Sequence, residues 1–552
     1  MVRERRLPLL LLAVVLGIGS FVRLVDLERV PLRDDELNHY YVASSIQRGD
    51  APALPSGEWY LRGIEYSHAV RFSLDHIQPV ERAVRLPSAL LGCAALILFA
   101  GIAWSLAGAW AAVFATLLLS LYPEMIFQSR SGRFYTMQLC FGLLAFFAGW
   151  SVLARSLQEE RSAAHSARQW GWSALAIGGL ALAARIQVTT LSVAAAWGLA
   201  VAAVGFMDLR RWGSAAARRS VPLQLTVVGV LGGAALLMAR PDTLTHLGVR
   251  AVSVPYWAET LASRPTFYVT LIALNLPILV IGGAASLYYV ARQQRALGLY
   301  LLVWFGVPFV LHSLLPWRGQ RFIVLALPAL LLAVGIAAAR LLSVLHARIA
   351  AVLIQRRFHP RFAAFAAHAA VILAALLAVA PTPALSRVLS PADAQVTTAW
   401  RESLAIANAV RQHDGVPLGH TRSLPALHYW GRLDFTVNEG LRQQWLTADR
   451  MRSQLGTFGR GGYAWLPMGD PDMYTGAPVL TTPDAIRTFY RGAGSVLIGL
   501  DSPSMIQNGV RSELAEVLIA EATELCQGRC GPMLLFHWRF ADYDVPEEGE
   551  AG

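Results

Sequence analysis

Apolar residues in this chain are gathered into long blocks separated by short polar stretches. Blocks near the ~20 residues that cross a hydrocarbon core fall at 7–27, 84–107, 109–128, 134–154, 170–185, 187–207, 221–239, 266–290, 298–315, 322–344 and 362–380. The pattern predicts about 11 membrane-spanning helices. Two polar stretches between the first two blocks have an apolar side of their own. The stretch DELNHYYVASSIQRG offers Leu37, Tyr40, Tyr41 and Ile46 and predicts a short helix ending at Gly49. A second amphipathic piece covers 66–77. Helices of this kind lie in the membrane–water interface, where Tyr40, Tyr41, Trp59, Tyr60 and Tyr66 would form an aromatic belt.

After Pro381 and Pro383 the long blocks stop. Helical periodicity at 397–412 gives way to short apolar strands near 416–420, 463–467, 495–500 and 533–540. Helices near 482–491 and 503–525 separate them, the first opening on Thr482-Pro483-Asp484, a helix-start signal. The predicted fold class is a polytopic α-helical membrane protein with a C-terminal soluble α/β domain. The membrane domain is expected over 1–380, including loop 28–83, and the soluble domain over 381–552. No Gly-rich phosphate loop lies at a strand–helix junction, so the second domain offers no nucleotide site.

Composition agrees. Of 552 residues, 55% are hydrophobic and only 15% charged, which excludes a string of soluble domains. The formal charge is +11 and there is no lysine, so every fixed cation is arginine. Nucleic-acid binding is the usual reading of a basic chain, but here the arginines lie between apolar blocks, where the positive-inside rule accounts for them. Arg155, Arg161 and Arg168 precede the apolar region 170–207, and Arg210, Arg211, Arg218 and Arg219 follow it. Both linkers belong on the cytoplasmic side, which requires two crossings between them. The same rule keeps the N-terminus inside. The apolar stretch after MVRERR runs through Phe21 and Val22 without a small-x-small cleavage site, so an uncleaved first helix is expected. The opposite face then receives 28–83, 123–133, 240–265, 316–321 and everything after about residue 380. Arg130, Arg133, Arg240, Arg318 and Arg321 on that face break the rule and are candidates for binding an anion, the alternative being that each snorkels or pairs with an acid. Cys526 and Cys530, in CQGRC, fall where disulfides form and are predicted to be bridged.

The acids Asp34, Asp35 and Glu36 follow directly on the first apolar block. Carboxylates beside hydrocarbon are costly and ask for a reason. Helix capping is one: Asp34 can cap a helix whose first turn carries Asp35 and Glu36, favoured by the helix dipole. A catalytic carboxylate at the boundary is the other. His39, His68, His76 and His312 are more simply packed or interfacial residues, with His39 nearest to the acids.

Four stretches, in order along the chain, resemble the lipid-dependent glycosyltransferases of the GT-C type, which include the protein O-mannosyltransferases and the aminoarabinose transferase of lipid A. The acids followed by an aromatic-rich helix are similar to that family's Asp-Glu motif. ERAVRLPSA, at 81–89, resembles the lead into its second helix. SRSGRFYTM, at 129–137, resembles its arginine-x-tyrosine lead into the fourth, with Arg133 and Tyr135 in the matching places. RGQRFIVLALP, at 318–328, resembles the arginine-aromatic lead into a late helix. The likeness covers most of residues 1–345. The Lys-Pro-Pro stretch common in the first loop of relatives is absent, and that region here reads EYSHAVRFSLDH. There are two aspartates where the family has one; by its spacing to Glu36, Asp35 is the match and Asp34 is the cap.

The resemblance implies transfer of a sugar from a polyprenyl-phosphate donor to an acceptor hydroxyl or amine, by direct displacement that inverts the anomeric carbon. The residue types suit that chemistry. A phosphate-linked sugar carries its own leaving group, and a carboxylate within about 3 Å of the acceptor proton can accept it. Fixed positive charge must meet the departing phosphate, for which the guanidinium fork is well shaped. Asp35 is therefore the expected base, with Glu36 orienting it or touching the acceptor. Arg133 and Arg321 are the expected phosphate ligands, with Arg130 and Arg318 behind them, and Asp34, His39 and Tyr135 as secondary site residues. No cofactor is required. Asp34, Asp35, Glu36 and His39 could offer oxygen and nitrogen to a divalent metal, but adjacent acids on a helix point different ways and rarely share one ion. The expected partners are the lipid donor, a glycan, lipid or protein acceptor and membrane lipids, with no nucleic acid. The expected location is a bacterial inner membrane, N-terminus cytoplasmic and C-terminal domain periplasmic. The alternatives are a flippase for a lipid-linked sugar, which would also want basic groups near the interface but for which no internal repeat is evident, and a non-catalytic assembly protein for such glycans, for which the acids would be dispensable.

Overall fold

The computed structural model describes residues 6–156, 163–187, 189–200, 266–276, 278–314, 319–355, 406–408, 415–439, 443–446, 462–465, 467–500, 510–526 and 534–540. Its described residues divide into two units. A helical unit takes residues up to Leu27 and those from Arg85 through the helices that end at Gln355. A mixed unit takes Glu28–Val84 and the described residues from 406 onward.

The apolar blocks become helices where expected. The helical unit contains α1 (Arg6–Leu24), α4 (Val80–Ala107) from Arg85 onward, its first residues to Val84 falling in the mixed unit, α5 (Ala109–Leu121), α6 (Pro123–Arg130), α7 (Tyr135–Ser156) and α8 (Ala163–Ile186). It continues with α9 (Thr190–Ala200), α10 (Phe267–Asn275), α11 (Ile278–Gln293), α12 (Arg295–Leu314), a 3₁₀ turn at Gln320–Ile323 and α13 (Leu327–Gln355). Among the described residues five helices are long and apolar enough to cross a membrane, α1, α4, α7, α12 and α13, or seven spans if the bent pairs α5/α6 and α10/α11 each count as one. The chain is thus a multi-pass membrane protein. The apolar region 170–207 is broken between Ile186 and Thr190 into separate helices. The spans expected at 221–239 and 362–380 lie outside the described residues.

One break shapes the site. The block expected as a single span at 109–128 bends by 61° between α5 and α6. Pro123 opens α6, and Tyr122 before it is extended (φ −69°, ψ 119°), the conformation a proline imposes on its predecessor. The last carbonyls of α5 lose their helical partners, and a buried arginine replaces them. Arg23 on α1 donates to the carbonyls of Ser120 (3.0 Å) and Leu119 (3.1 Å), to Gly19 (2.8 Å) and to Ser129 Oγ (3.1 Å). Gly92 on α4 leaves room for this cluster; a Cβ there would stand 2.4 Å from Ser129 Oγ.

In the mixed unit, α2 (Asp34–Gln47) and α3 (Ile64–Leu74) are the two short helices expected in the first loop. Gly49 follows α2 at φ 86°, a left-handed conformation that suits glycine. The C-terminal part contains β1 (Leu418–His420), α14 (Ser423–Trp430), β2 (Phe435–Thr436), β3 (Gln443–Leu446), β4 (Gly462–Trp465), α15 (Pro483–Phe489), β5 (Ser495–Leu500), α16 (Ser512–Glu521), β6 (Thr523–Glu524) and β7 (Leu534–Arg539). The main sheet runs β2-β1-β5-β7-β6; β1 pairs in parallel with β2 and β5, while β7 is antiparallel to β5 and β6. The segment β1-α14-β2 is a short parallel crossover, and β3 and β4 form a separate antiparallel pair. This is the α/β arrangement expected from the strand and helix pattern. Within the mixed unit, residues 28–84 cluster with this C-terminal part. Some of their partners lie far along the chain, where local patterning cannot reveal them. Ser56, for example, donates to the Met473 carbonyl at 2.6 Å. Cys526 is buried and disulfide-bonded; Cys530, its expected partner, lies outside the described residues.

Candidate active site

Two clusters carry the residues singled out from the sequence. In the helical unit the bend at Pro123 and the lead into α7 gather cations around one ring. Arg133 is buried, donates to the Tyr135 hydroxyl (3.4 Å) and stands over the Phe134 and Tyr135 rings at 5.2 and 5.5 Å. Arg321, in the 3₁₀ turn before α13, stands over the same Tyr135 ring at 5.9 Å and over Phe322 at 5.7 Å. Two arginines almost two hundred positions apart thus share a tyrosine. Each such contact is worth about 0.5–2 kcal/mol, enough to orient a guanidinium without neutralising it. The Arg133 backbone is itself tethered, because Ser88 on α4 donates to its carbonyl.

Glu124 is a further polar residue of this cluster. It is buried on α6, accepts from Gln128, and lies close enough to Arg321 to act on it electrostatically. Its signal in the sequence is an acid directly after a proline within an apolar run.

Arg130 does something else. It donates to the carbonyls of Val22 (3.0 Å), Val25 and Asp26 (3.1 Å), closing the C-terminal end of α1. That is a helix-terminus role. Arg318 lies outside the described residues.

In the mixed unit the three acids are distinguished by position. The N-cap of α2 is Arg33, and Asp34 is the first helical residue, so the capping role expected of Asp34 does not hold. Glu36 takes it: its buried carboxylate accepts from the Arg33 backbone N–H at 2.9 Å, the return half of a capping box. Asp34 is half-buried and forms an ion pair with Arg422, 3.2 Å from its Nε. Asp35 is the exposed acid of the three. His39 is fully buried, its Nδ1 2.9 Å from Ser67 Oγ and its ring edge-on to Tyr60 and Tyr66 at 5.7 and 5.1 Å. Those contacts make it a packing residue. Among the described residues no group of three His, Cys, Asp or Glu could hold a metal ion.

Arg422 was not anticipated. It follows β1, and its backbone N–H donates to His420 Nδ1 at 2.8 Å. His420 is buried, and desolvation pulls its imidazole down to about 3, with nearby Arg422 acting in the same direction. A neutral ring can accept that bond.

Neither a protein-family model nor a curated protein sequence matches the chain. Solved structures do. ArnT from Cupriavidus metallidurans bound to undecaprenyl phosphate superposes with a TM-score of 0.56 at 14% identity, over 95% of this chain and 97% of that one. The archaeal oligosaccharyltransferase AglB from Archaeoglobus fulgidus, in complex with an inhibitory peptide and a dolichol-phosphate, gives 0.55 at 14% identity, over 90% of this chain and 69% of that one. The chain has a GT-C-like fold. At this level of identity the likeness carries the fold alone.

Proposed function

We propose that the protein is a membrane glycosyltransferase that moves a sugar from a polyprenyl-phosphate donor to an acceptor hydroxyl or amine. The observation that carries this reading is the pair of arginines on Tyr135, within a fold whose solved examples include one bound to undecaprenyl phosphate. Arg133 and Arg321 would hold the phosphate and take up the charge that develops as it leaves, and planar guanidiniums can do so with paired hydrogen bonds. Asp35, the exposed acid, accepts the acceptor's proton as the nucleophile attacks the anomeric carbon from the face opposite the phosphate. Glu36 acts by holding the turn. The donor lipid supplies its own leaving group, so the reaction calls on no cofactor. The reading places the site on the periplasmic face of a bacterial inner membrane.

The test supplies membranes with radiolabelled polyprenyl-phosphate sugars and compares the wild type with Arg133→Ala and Arg321→Ala. The expected result is transfer by the wild type and loss of lipid-phosphate binding in both variants. Absence of transfer from every donor, with the lipid still bound, would favour a flippase or an assembly protein instead.

A further inference from the structure

The acidic turn is held by the C-terminal part of the chain at several points. The Tyr429 hydroxyl accepts from the Leu32 backbone N–H at 2.6 Å and donates to Glu81 at 3.0 Å. One hydroxyl therefore ties the residue before the turn to the first turn of α4. Seven positions earlier, Arg422 pairs with Asp34 at the start of α2. Between them His428 packs edge-on against Tyr40 at 4.8 Å and Tyr41 at 6.3 Å, further along α2. Farther off, the Ser56 N–H donates to the Tyr474 carbonyl at 3.3 Å.

The direction of these contacts is informative. All three of Arg422, His428 and Tyr429 belong to α14 or its N-cap, at the carboxyl end of β1. Loops at the carboxyl ends of parallel strands are the working edge of an α/β sheet; here that edge holds the chain's own acidic helix. The first turn of a helix frays readily, and a carboxylate that must stand within hydrogen-bond reach of a nucleophile tolerates little displacement.

We propose that α14 is a positioning clamp for the acidic turn, Arg422 acting through Asp34 and Tyr429 through Leu32 and Glu81 to fix where the Asp35 carboxylate stands. The inference rests on the reading of Asp35 as the base. Neither Arg422 nor Tyr429 is a catalytic residue. The ion pair is partly exposed, with side-chain exposures of 25% for Arg422 and 46% for Asp34, and such pairs add little to stability. Its removal should therefore change rate and not folding.

The experiment uses the full chain in lipid nanodiscs with the polyprenyl-phosphate sugar that the wild type accepts. Arg422→Ala lowers kcat about ten- to a hundredfold, with donor KM and thermal midpoint unchanged. Arg422→Lys retains most of the rate, and the exchange Asp34→Arg with Arg422→Asp recovers part of it. Tyr429→Phe keeps the ring, loses both hydrogen bonds and lowers kcat in the same way. Wild-type kcat in both Arg422→Ala and Tyr429→Phe overturns the clamp, as does a loss in Arg422→Ala that neither Arg422→Lys nor the exchange relieves. The two readings fail differently. If Asp35→Asn is inactive while the clamp variants behave as wild type, only the clamp falls; full activity in Asp35→Asn removes the base and the clamp together.

Discussion

Three adjacent acids, alike in sequence, have three different surroundings. Glu36 is buried and caps its own helix, Asp34 is paired with Arg422, and Asp35 faces solvent. Their existence as a cluster was legible; their division was not, because Arg422 lies almost four hundred positions away. Replacing Glu36 with Ala should cost about 0.5–2 kcal/mol, as lost caps do, while Glu36→Gln keeps an acceptor oxygen and most of the stability; thermal unfolding of both variants checks this. The arginines repeat the lesson. Arg130 and Arg133 look equivalent in sequence, yet one closes α1 and the other meets Tyr135. Removing Arg133 or Arg321 should weaken lipid-phosphate binding by about 1.5–3 kcal/mol, the range for a hydrogen bond to a charged group. Arg130→Ala should lower the melting temperature and spare that binding, as titration with the lipid phosphate would register. His420 makes a pH prediction. Burial pulls its imidazole from the ordinary 6.5 down to about 3. The unfolded chain takes up this proton where the folded chain does not, so the histidine's contribution is intact above pH 6.5 and is lost as pH falls toward 3. Wild type should lose stability across that window more steeply than His420→Gln, as midpoints measured at several pH values would show.

The apolar blocks predicted the described helices well, because a hydrocarbon solvent leaves a helix few alternatives. The break at Pro123 was readable as a proline inside a block, but its consequence was not. A bend of 61° frees the carbonyls of Leu119 and Ser120, and Arg23 from another helix takes them. Replacing Arg23 with Leu leaves those carbonyls without their buried donor, at a cost of about 1–3 kcal/mol for each group. A fall in the thermal midpoint, and in the yield of folded protein, is the expected readout. Gly92→Ala should act at the same place by crowding Ser129, costing about 1–3 kcal/mol as overpacked sites do.

The whole molecule joins helices read from apolar periodicity to an α/β part read from short strands, and both assignments match the structure. The short helices of the first loop were expected from their own pattern; the contact of α2 with α14, through Tyr40 and Tyr41 against His428, was not. Hydrophobic patterning reports which face of an element is buried, not which distant segment buries it. The likeness to a GT-C fold extends over 95% of the chain, and what is proposed beyond it is chemical: a lipid-phosphate sugar as donor and Asp35 as base. The most direct measurement is transfer of label from polyprenyl-phosphate sugars by wild type and by Asp35→Asn at equal protein level. Transfer by the wild type and a loss of about 10²–10⁴-fold in the variant, with lipid binding retained, is the expected result. Undiminished transfer by Asp35→Asn would contradict it.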